Sequence, residues 1–172
     1  SYESLGIAYS IKFEYQKAIN YYEQVIDIAK ELEDNFWISL MYNNIGYTLI
    51  YMGDYDGALN FLEKALDLKK VMNISKPIFV LHSLGEIYRR RGEYKKAIKY
   101  LNQSLSFSIE LGNKRSQNHC RYDLGLCYYE MNMFEEAKIE LKIAVEIQNE
   151  IKTKENTLET NIFLFLVYKK LK

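Results

Sequence analysis

A leucine or isoleucine followed by glycine recurs four times along this chain at a nearly constant interval. The glycines, which step by 40, 39 and 40 residues, are Gly6, Gly46, Gly85 and Gly125. An alanine follows each glycine by twelve residues, and a large side chain follows each alanine by four. These positions are Ala18, Ala58, Ala97 and Ala137, followed by Tyr22, Leu62, Leu101 and Leu141. A fixed period of this length predicts a solenoid, in which one small unit of structure is stacked repeatedly.

Each repeat contains two helical segments joined by a short turn. We call the first, which carries the glycine, the A helix, and the second, which carries the alanine, the B helix. In the first repeat, apolar residues recur every three or four positions from Ala18 to Ala29, which predicts one buried face of the B helix. Gly53 and Gly92 follow A helices and suit a helix end that requires positive φ. The single proline, Pro77, fits the first turn of the third A helix.

The paired small residues predict how the two helices of a repeat pack together. Glycine and alanine let antiparallel helices cross closely, whereas a glycine inside a helix costs up to about 1 kcal/mol relative to alanine. Four glycines in register therefore indicate a steric requirement. We predict an all-α protein, a right-handed α-solenoid of antiparallel helix pairs that forms one domain over residues 1–172. The repeats span about residues 1–33, 35–73, 76–112 and 114–153, and a terminal A-type helix spans 156–171.

The terminal segment departs from the repeat pattern. Phe165 stands where the glycine would be, and no B helix follows within the sequence. Solenoids need atypical end units, so the segment is either a cap or an open end. The apolar run Ile162–Val167 fits both alternatives. Because the chain starts abruptly at Ser1 without a methionine, we expect it to be a piece excised from a longer protein.

These residues resemble the tetratricopeptide repeat, whose pattern is W-x2-L-G-x2-Y, then A-x3-F, then P. The resemblance covers residues 2–168. No proline ends the B helices, and the period is about 40 residues rather than 34. The tryptophan position holds Tyr2, Tyr42, Leu81 and Arg121. The longer unit is similar to that of kinesin light chain, of spindle-orientation adaptors and of bacterial regulators of the Rap and PlcR type, which sense peptide pheromones.

The charge balance argues against partners that are recognised through a large positive excess. Lys and Arg number 23, as do Asp and Glu, so the net charge is zero. We therefore expect no nucleic-acid binding and no docking on an anionic membrane. The uncharged stretch from Asn35 to Gly53 is interrupted by polar residues and carries the repeat pattern, which favours a solenoid helix over a membrane span.

The sequence contains no pattern that indicates an enzyme or a cofactor site. It has no glycine-rich phosphate loop and no His-Glu-x-x-His motif. His119 and Cys120 point about 100° apart on a helix, so even with His82 nearby they are poorly placed to hold one metal ion. Cys120 and Cys127 are about 10 Å apart along one helix, too far for a disulfide. We expect buried free thiols, a cytoplasmic location, no metal and no cofactor.

The resemblance implies that the A helices line a concave groove that binds a peptide or a segment of a partner protein. Tyrosine offers contact area with a polar tip, and asparagine offers both a donor and an acceptor. In related long-repeat proteins an asparagine at the position of Asn44 grips the peptide backbone. The candidate groove residues are Asn43, Asn44, Tyr47, Tyr51, His82, Glu86, Arg89, Arg90, Tyr122 and Tyr129, with Ile50, Leu126 and Asp123 beside them. Arg89 and Arg90 would favour an acidic ligand.

Three functions are compatible with this sequence. The first is a scaffold that binds a protein or peptide in the A-helix groove. The second is a structural element that forms a homodimer through the terminal helix. The third is a sensory or regulatory domain of a larger enzyme or transcription regulator, which the flanking sequence of the parent gene would reveal.

Overall fold

The computed structural model describes residues 1–154 and 156–172, which form nine helices and no strand. The helices are α1 (Tyr2–Ile11), α2 (Tyr15–Glu31), α3 (Asn35–Met52), α4 (Tyr55–Val71), α5 (Ile78–Arg90), α6 (Tyr94–Glu110), α7 (Lys114–Glu130), α8 (Phe134–Glu150) and α9 (Thr157–Lys170). Odd-numbered helices are the A helices and even-numbered ones the B helices, followed by the terminal α9. This alternation confirms the all-helical prediction. The helices α2, α4, α6 and α8 each contain 17 residues, which accounts for the long repeat.

The turn between the A and B helices of each repeat contains one residue with left-handed backbone geometry. Gly53 and Gly92 adopt φ values of 81° and 75° there, as the sequence predicts. The equivalent residues of the first and fourth repeats are Phe13, with φ 62°, and Asn132, with φ 59°. Asparagine tolerates this geometry, but a bulky side chain rarely adopts it. Phe13 is therefore an outlier in the set.

Side-chain caps begin several of the helices. Asp34 accepts hydrogen bonds from the backbone N–H groups at the start of α3, and Asn113 accepts one from Ser116 at the start of α7. These bonds satisfy donors that have no partner within the helix. Pro77 lies immediately before α5, one position earlier than predicted, and its carbonyl accepts a hydrogen bond from the Leu81 N–H at 3.1 Å.

The close crossing of A and B helices occurs where the small residues predict it. A Cβ atom added to Gly125 would lie 2.6 Å from Leu141 Cγ, and one added to Gly46 would lie 2.8 Å from Leu62 Cγ. Such distances are shorter than carbon atoms can approach without displacing one another. The four alanines of the pattern are fully buried. The partners of the glycines are Tyr22, Leu62, Leu101 and Leu141, the large residues of the repeat.

The chain folds into two compact units, residues 1–83 and residues 84–172. Met41, Ile45 and Leu62 are completely buried in the first unit, and Leu124 and Leu141 in the second. The first unit carries eleven acidic and seven basic residues, a net charge of −4, and the second carries twelve acidic and sixteen basic residues, a net charge of +4. The zero charge of the chain is thus a sum of two opposite charges. The single-domain organisation stays a prediction.

The terminal helix α9 packs in the second unit through one face and exposes the other. Val167 is buried against Ala137 and Leu141 of α8, and Phe163 packs in the same cluster. Phe165, at the position of the repeat glycine, is 67% exposed. The predicted apolar run is therefore divided between a packed face and an exposed one.

Among the described residues, no helix is both long enough and apolar enough to cross a membrane. The uncharged stretch that begins at Asn35 forms α3, whose buried hydroxyl groups have partners within the protein. Ser39 donates a hydrogen bond to the carbonyl of Ala65, and Thr48 donates one to the carbonyl of Asn44. The stretch is a core helix, as the repeat pattern predicts.

Candidate peptide-binding surface

Two tyrosines on α3 form the most exposed part of the candidate surface. Tyr47 and Tyr51 are 36% and 43% exposed, although neighbouring positions of α3 are buried. Because they are four residues apart, they lie on the same side of the helix. Their ring centroids are 5.1 Å apart and their hydroxyl oxygens 3.0 Å apart. Asn44, one turn earlier, is half-buried.

The neighbouring positions of α3 serve the core. Asn43 is only 9% exposed, and its side-chain oxygen accepts a hydrogen bond from Ser83 Oγ at 3.3 Å. Ile50, expected beside the groove, is 1% exposed, and Leu126 on α7 is 6% exposed. These two expectations are wrong, because both side chains point into the interior.

The charged candidates of the second unit form an ion-pair network. Arg89 Nε on α5 lies 2.9 Å from Asp123 Oδ1 on α7. Arg90 Nη2 lies 2.9 Å from Glu86 Oε1, and Arg89 Nη2 lies 3.9 Å from the same oxygen. The side chains of Glu86 and Asp123 are only 5% and 7% exposed. The two guanidinium groups therefore compensate two buried carboxylates.

Opposing effects act on the pKa of Arg89. Burial disfavours its charged form, but the carboxylates of Asp123 and Glu86 outweigh burial, so the pKa is raised above the ordinary value. Arg89 is thus charged and engaged within the protein. Arg90, whose side chain is 30% exposed, is the arginine of the network that remains more accessible to a ligand.

The two aromatic candidates on α7 pack against the terminal helix. The ring centroid of Phe163 lies 5.7 Å from that of Tyr129 and 6.5 Å from that of Tyr122. Both tyrosines are half-buried as a result. His82, on α5, is also half-buried. The structure thus places Asn44, Tyr47, Tyr51, His82, Arg90, Tyr122 and Tyr129 at least partly at the surface.

Sequence reasoning missed a cleft beside the α3 tyrosines. This aromatic cleft, with a volume of about 280 Å³, is lined by Ser10, Ile11, Phe13, Tyr15, Tyr47 and Tyr51. The repeat supplies a signal that could have found it. Phe13 stands at the turn position where two other repeats have glycine, and a bulky residue at a glycine position indicates a requirement other than folding.

Nothing in the described part of the chain forms a group of three or more His, Cys, Asp or Glu side chains able to hold a metal ion. Cys120 and Cys127 are buried, as predicted, and are not joined in a disulfide. Burial raises the pKa of each thiol to about 12. Because the thiolate is the reactive form, neither cysteine is an activated nucleophile.

A protein-family model matches most of this chain. The model of the tetratricopeptide repeat family matches residues 1–70 and 78–150. Response regulator aspartate phosphatase J of Bacillus subtilis (strain 168) is 24% identical over 98 residues, which cover 57% of this chain and 26% of the phosphatase. The chain thus spans about a quarter of that relative.

Solved structures share the fold at low sequence identity. A Rap protein complexed with competence and sporulation factor superposes with a TM-score of 0.85 and 16% identity, over 97% of this chain and 47% of that one. The nearly identical TPR-like repeats of a kinesin light chain from Podosopora anserina superpose with a TM-score of 0.71 and 18% identity, over 98% of this chain and 84% of that one. The fold is therefore an α-solenoid of antiparallel helix pairs.

Proposed function

This chain belongs to the tetratricopeptide repeat family, and we propose that it binds a peptide or a segment of a partner protein on the exposed face of its A helices. The observation that carries this proposal is the exposed tyrosine pair of α3, Tyr47 and Tyr51. Ile45, Leu49 and Ile50 of the same helix are buried, and burying the two tyrosine rings as well would gain free energy. Tyrosine is enriched where proteins bind one another.

Asn44 lies one turn before Tyr47 and supplies polar recognition. Its side-chain amide can donate to a peptide carbonyl and accept from a peptide N–H. Tyr47 and Tyr51 would then hold the adjoining peptide side chains by ring contact. Within the second unit, Arg90 would favour an acidic residue of a ligand, and Tyr122 and Tyr129 would offer ring contact.

The role is binding rather than catalysis. Both cysteine thiols are protonated and buried, and the carboxylates of Glu86 and Asp123 are held by arginines. None of these groups is arranged as a nucleophile beside a general base. A Rap protein of similar fold has been solved in complex with competence and sporulation factor, which supports a binding role. We place the protein in the cytoplasm, where free thiols persist.

The test is a selection of binding peptides from a random display library with the 172-residue chain as bait. The selected peptides should lose at least tenfold in affinity on Asn44→Ala or Tyr47→Ala. Circular dichroism should show both variants folded. The exposed B-helix variant Lys99→Ala is the control and should bind normally. Peptides that tolerate both A-helix changes but lose binding on changes to exposed B-helix residues would contradict this surface.

A second candidate function is homodimerisation through α9. Its exposed face carries Leu158, Ile162 and Phe165, which are 69%, 47% and 67% exposed. In α7 the equivalent of Phe165 is Gly125, which touches Leu141 of its B helix. A phenylalanine at that position excludes the same close crossing, so a B helix of ordinary register does not fit there. In this second proposal, the same face of another copy of the chain would cover these side chains.

The charges along α9 favour an antiparallel pair. Glu159 lies in its first turn, and Lys169 and Lys170 lie in its last. Antiparallel packing of two α9 helices brings each acidic end beside a basic end and also opposes the two helix dipoles. Analytical ultracentrifugation should show a dimer that Phe165→Asp converts to a monomer. Lys142→Asp, a change to the same side chain at an exposed position of α8, is the control. A wild-type chain that stays monomeric at high concentration would exclude this role.

The third candidate, a sensory or regulatory domain of a larger protein, uses the same peptide-binding surface. The relative from Bacillus subtilis is named a response regulator aspartate phosphatase, and this chain covers about a quarter of its length. A regulatory role would therefore require a further domain in the parent protein. Sequencing the parent gene beyond these 172 residues decides between a free scaffold and a regulatory domain.

A further inference from the structure

The aromatic cleft of the first unit has rings in several orientations around one opening. Phe13 and Tyr15 are nearly perpendicular, with centroids 6.2 Å apart and an interplanar angle of 89°. Tyr47 and Tyr51 meet at 61°, and Tyr15 and Tyr51 at 31°. A side chain that enters such a cleft meets ring faces on more than one side. The face of an aromatic ring is the negative part of its quadrupole, so it attracts cations.

Phe13 lies at the edge of this cleft at a cost to the backbone. Its φ of 62° is in the left-handed region, and its side chain is 76% exposed. An exposed side chain gains little from burial, so packing does not offset this strain. Glycine occupies the same turn position in the second and third repeats without strain. Glu33 and Lys152 also adopt positive φ in turns between repeats, so it is the combination of this geometry with a place in the cleft lining that singles out Phe13.

The charge of the first unit also favours a cationic ligand. Its net charge is −4, whereas the second unit is positive. Glu14, which lies between Phe13 and Tyr15 in the sequence, is paired with Lys17. A cation that approaches this unit is therefore attracted by the summed charge as well as by the rings.

Other rings of this unit already lie close to ammonium groups. Lys17 Nζ is 5.3 Å from the ring centroid of Tyr9, and Lys64 Nζ is 5.0 Å from that of Phe61. Lys69 Nζ is 4.8 Å from the centroid of Phe36. These distances are within the range of cation–π attraction. The aromatic surface of this unit thus accommodates basic side chains in three other places.

We propose that the aromatic cleft is the anchor site for an arginine side chain of the bound peptide. This inference rests on the proposed peptide-binding function and specifies one residue of the ligand. The planar guanidinium group stacks on the ring of Tyr51 with Tyr15 and Tyr47 beside it, while Phe13 covers the opening. Arginine fits better than lysine because a planar cation makes contact over a whole ring face.

The experiment compares three peptides that differ only in the central side chain. They are acetyl-Gly-Arg-Gly-amide, its citrulline counterpart, which has nearly the same shape without the charge, and its leucine counterpart. Binding to the 172-residue chain is followed by NMR of carbon-13-labelled phenylalanine and tyrosine rings. The arginine peptide should bind about three- to fivefold more tightly than the citrulline peptide, the ratio expected for cation–π attraction at an accessible site. The largest shifts should fall on Phe13 and Tyr51.

Variants separate binding from folding. Phe13→Gly should abolish the preference for arginine and at the same time raise the Tm, because glycine relieves the left-handed strain. Tyr51→Ala should also abolish the preference. Phe36→Ala, which removes an exposed ring outside the cleft, should leave it unchanged. If Phe13→Gly lowers the Tm, Phe13 stabilises the fold and the argument from strain is overturned.

Other outcomes overturn the assignment of the ligand. Equal affinity for arginine and citrulline peptides, or tighter binding of the leucine peptide, would show that the cleft takes uncharged side chains. A preference for arginine that survives both cleft variants would place the cation elsewhere. The library selection tests the general function independently. Peptides that depend on Asn44 and Tyr47 but lack a basic residue would refute the arginine anchor and leave peptide binding intact.

Discussion

Gly125 and Leu141 illustrate how one missing methyl group sets the spacing of a helix pair. Leu141 Cγ lies where the Cβ of any other residue at position 125 would press against it. The same contact joins Gly46 to Leu62. Since the contact needs a small residue on one helix and a large one on the other, glycine and a large side chain recur at a regular spacing in the sequence. That is why the helix pairing could be predicted from residue spacing.

Ala97 tests this pairing at a single position. It is completely buried in a cluster with Leu101 and Leu124. Ala97→Glu places a charge and four further heavy atoms in a site without room or partners, so we expect a loss on the order of 4 kcal/mol in the free energy of unfolding. Urea denaturation followed by circular dichroism measures it.

The control for this change is Lys99→Glu, an exposed substitution on the same helix. It introduces the same side chain without burying it and should change the free energy of unfolding by less than about 0.5 kcal/mol. Equal stability of the Ala97→Glu and parent chains would mean that the register of the A and B helices is wrong.

The ion pair between α5 and α7 can be tested in the same way, by a single substitution. Arg89 spans from α5 to Asp123 on α7, and its side chain is 19% exposed. Arg89→Met keeps most of the apolar stem but leaves the Asp123 carboxylate buried without its cation. Breaking a buried pair from one side costs about 3–5 kcal/mol, and partial exposure of Arg89 sets the expectation near the lower value.

Arg91→Met is the matched comparison for this network. Arg91 Nε lies 3.4 Å from Glu93 Oε1 in a pair that is about one third exposed on both sides. Its loss should hardly change the urea midpoint, because an exposed ion pair contributes little. A large loss at Arg91 with a small one at Arg89 would reverse the roles assigned to the two arginines.

The helices could be predicted from the sequence more completely than the candidate site. A pair of helices in this fold is specified by the spacing from glycine to alanine to a large side chain, which covers 16 residues and is visible in the sequence. Exposure of Asn43 or Asp123 depends instead on side chains from other helices, such as Ser83 and Arg89. The aromatic cleft was missed for the same reason, since α1, its turn and α3 all contribute to it.

On the scale of the whole chain, zero net charge conceals two oppositely charged units. The first unit carries −4 and the second +4. The argument from total charge against nucleic-acid and anionic-membrane partners therefore holds for the whole chain but not for the second unit taken by itself.

The two buried thiols can report how often the second unit opens. Cys120 and Cys127 belong to the same core cluster as Ala97, and burial keeps the pKa of both near 12. Near pH 8 an alkylating reagent can therefore react with them only in molecules whose second unit has transiently opened. Mass spectrometry should find both cysteines modified slowly in the parent chain and much faster in Ala97→Glu. Immediate modification in the native parent chain would contradict their burial. The alkylation rate in the absence of denaturant then measures how often the second unit opens under native conditions.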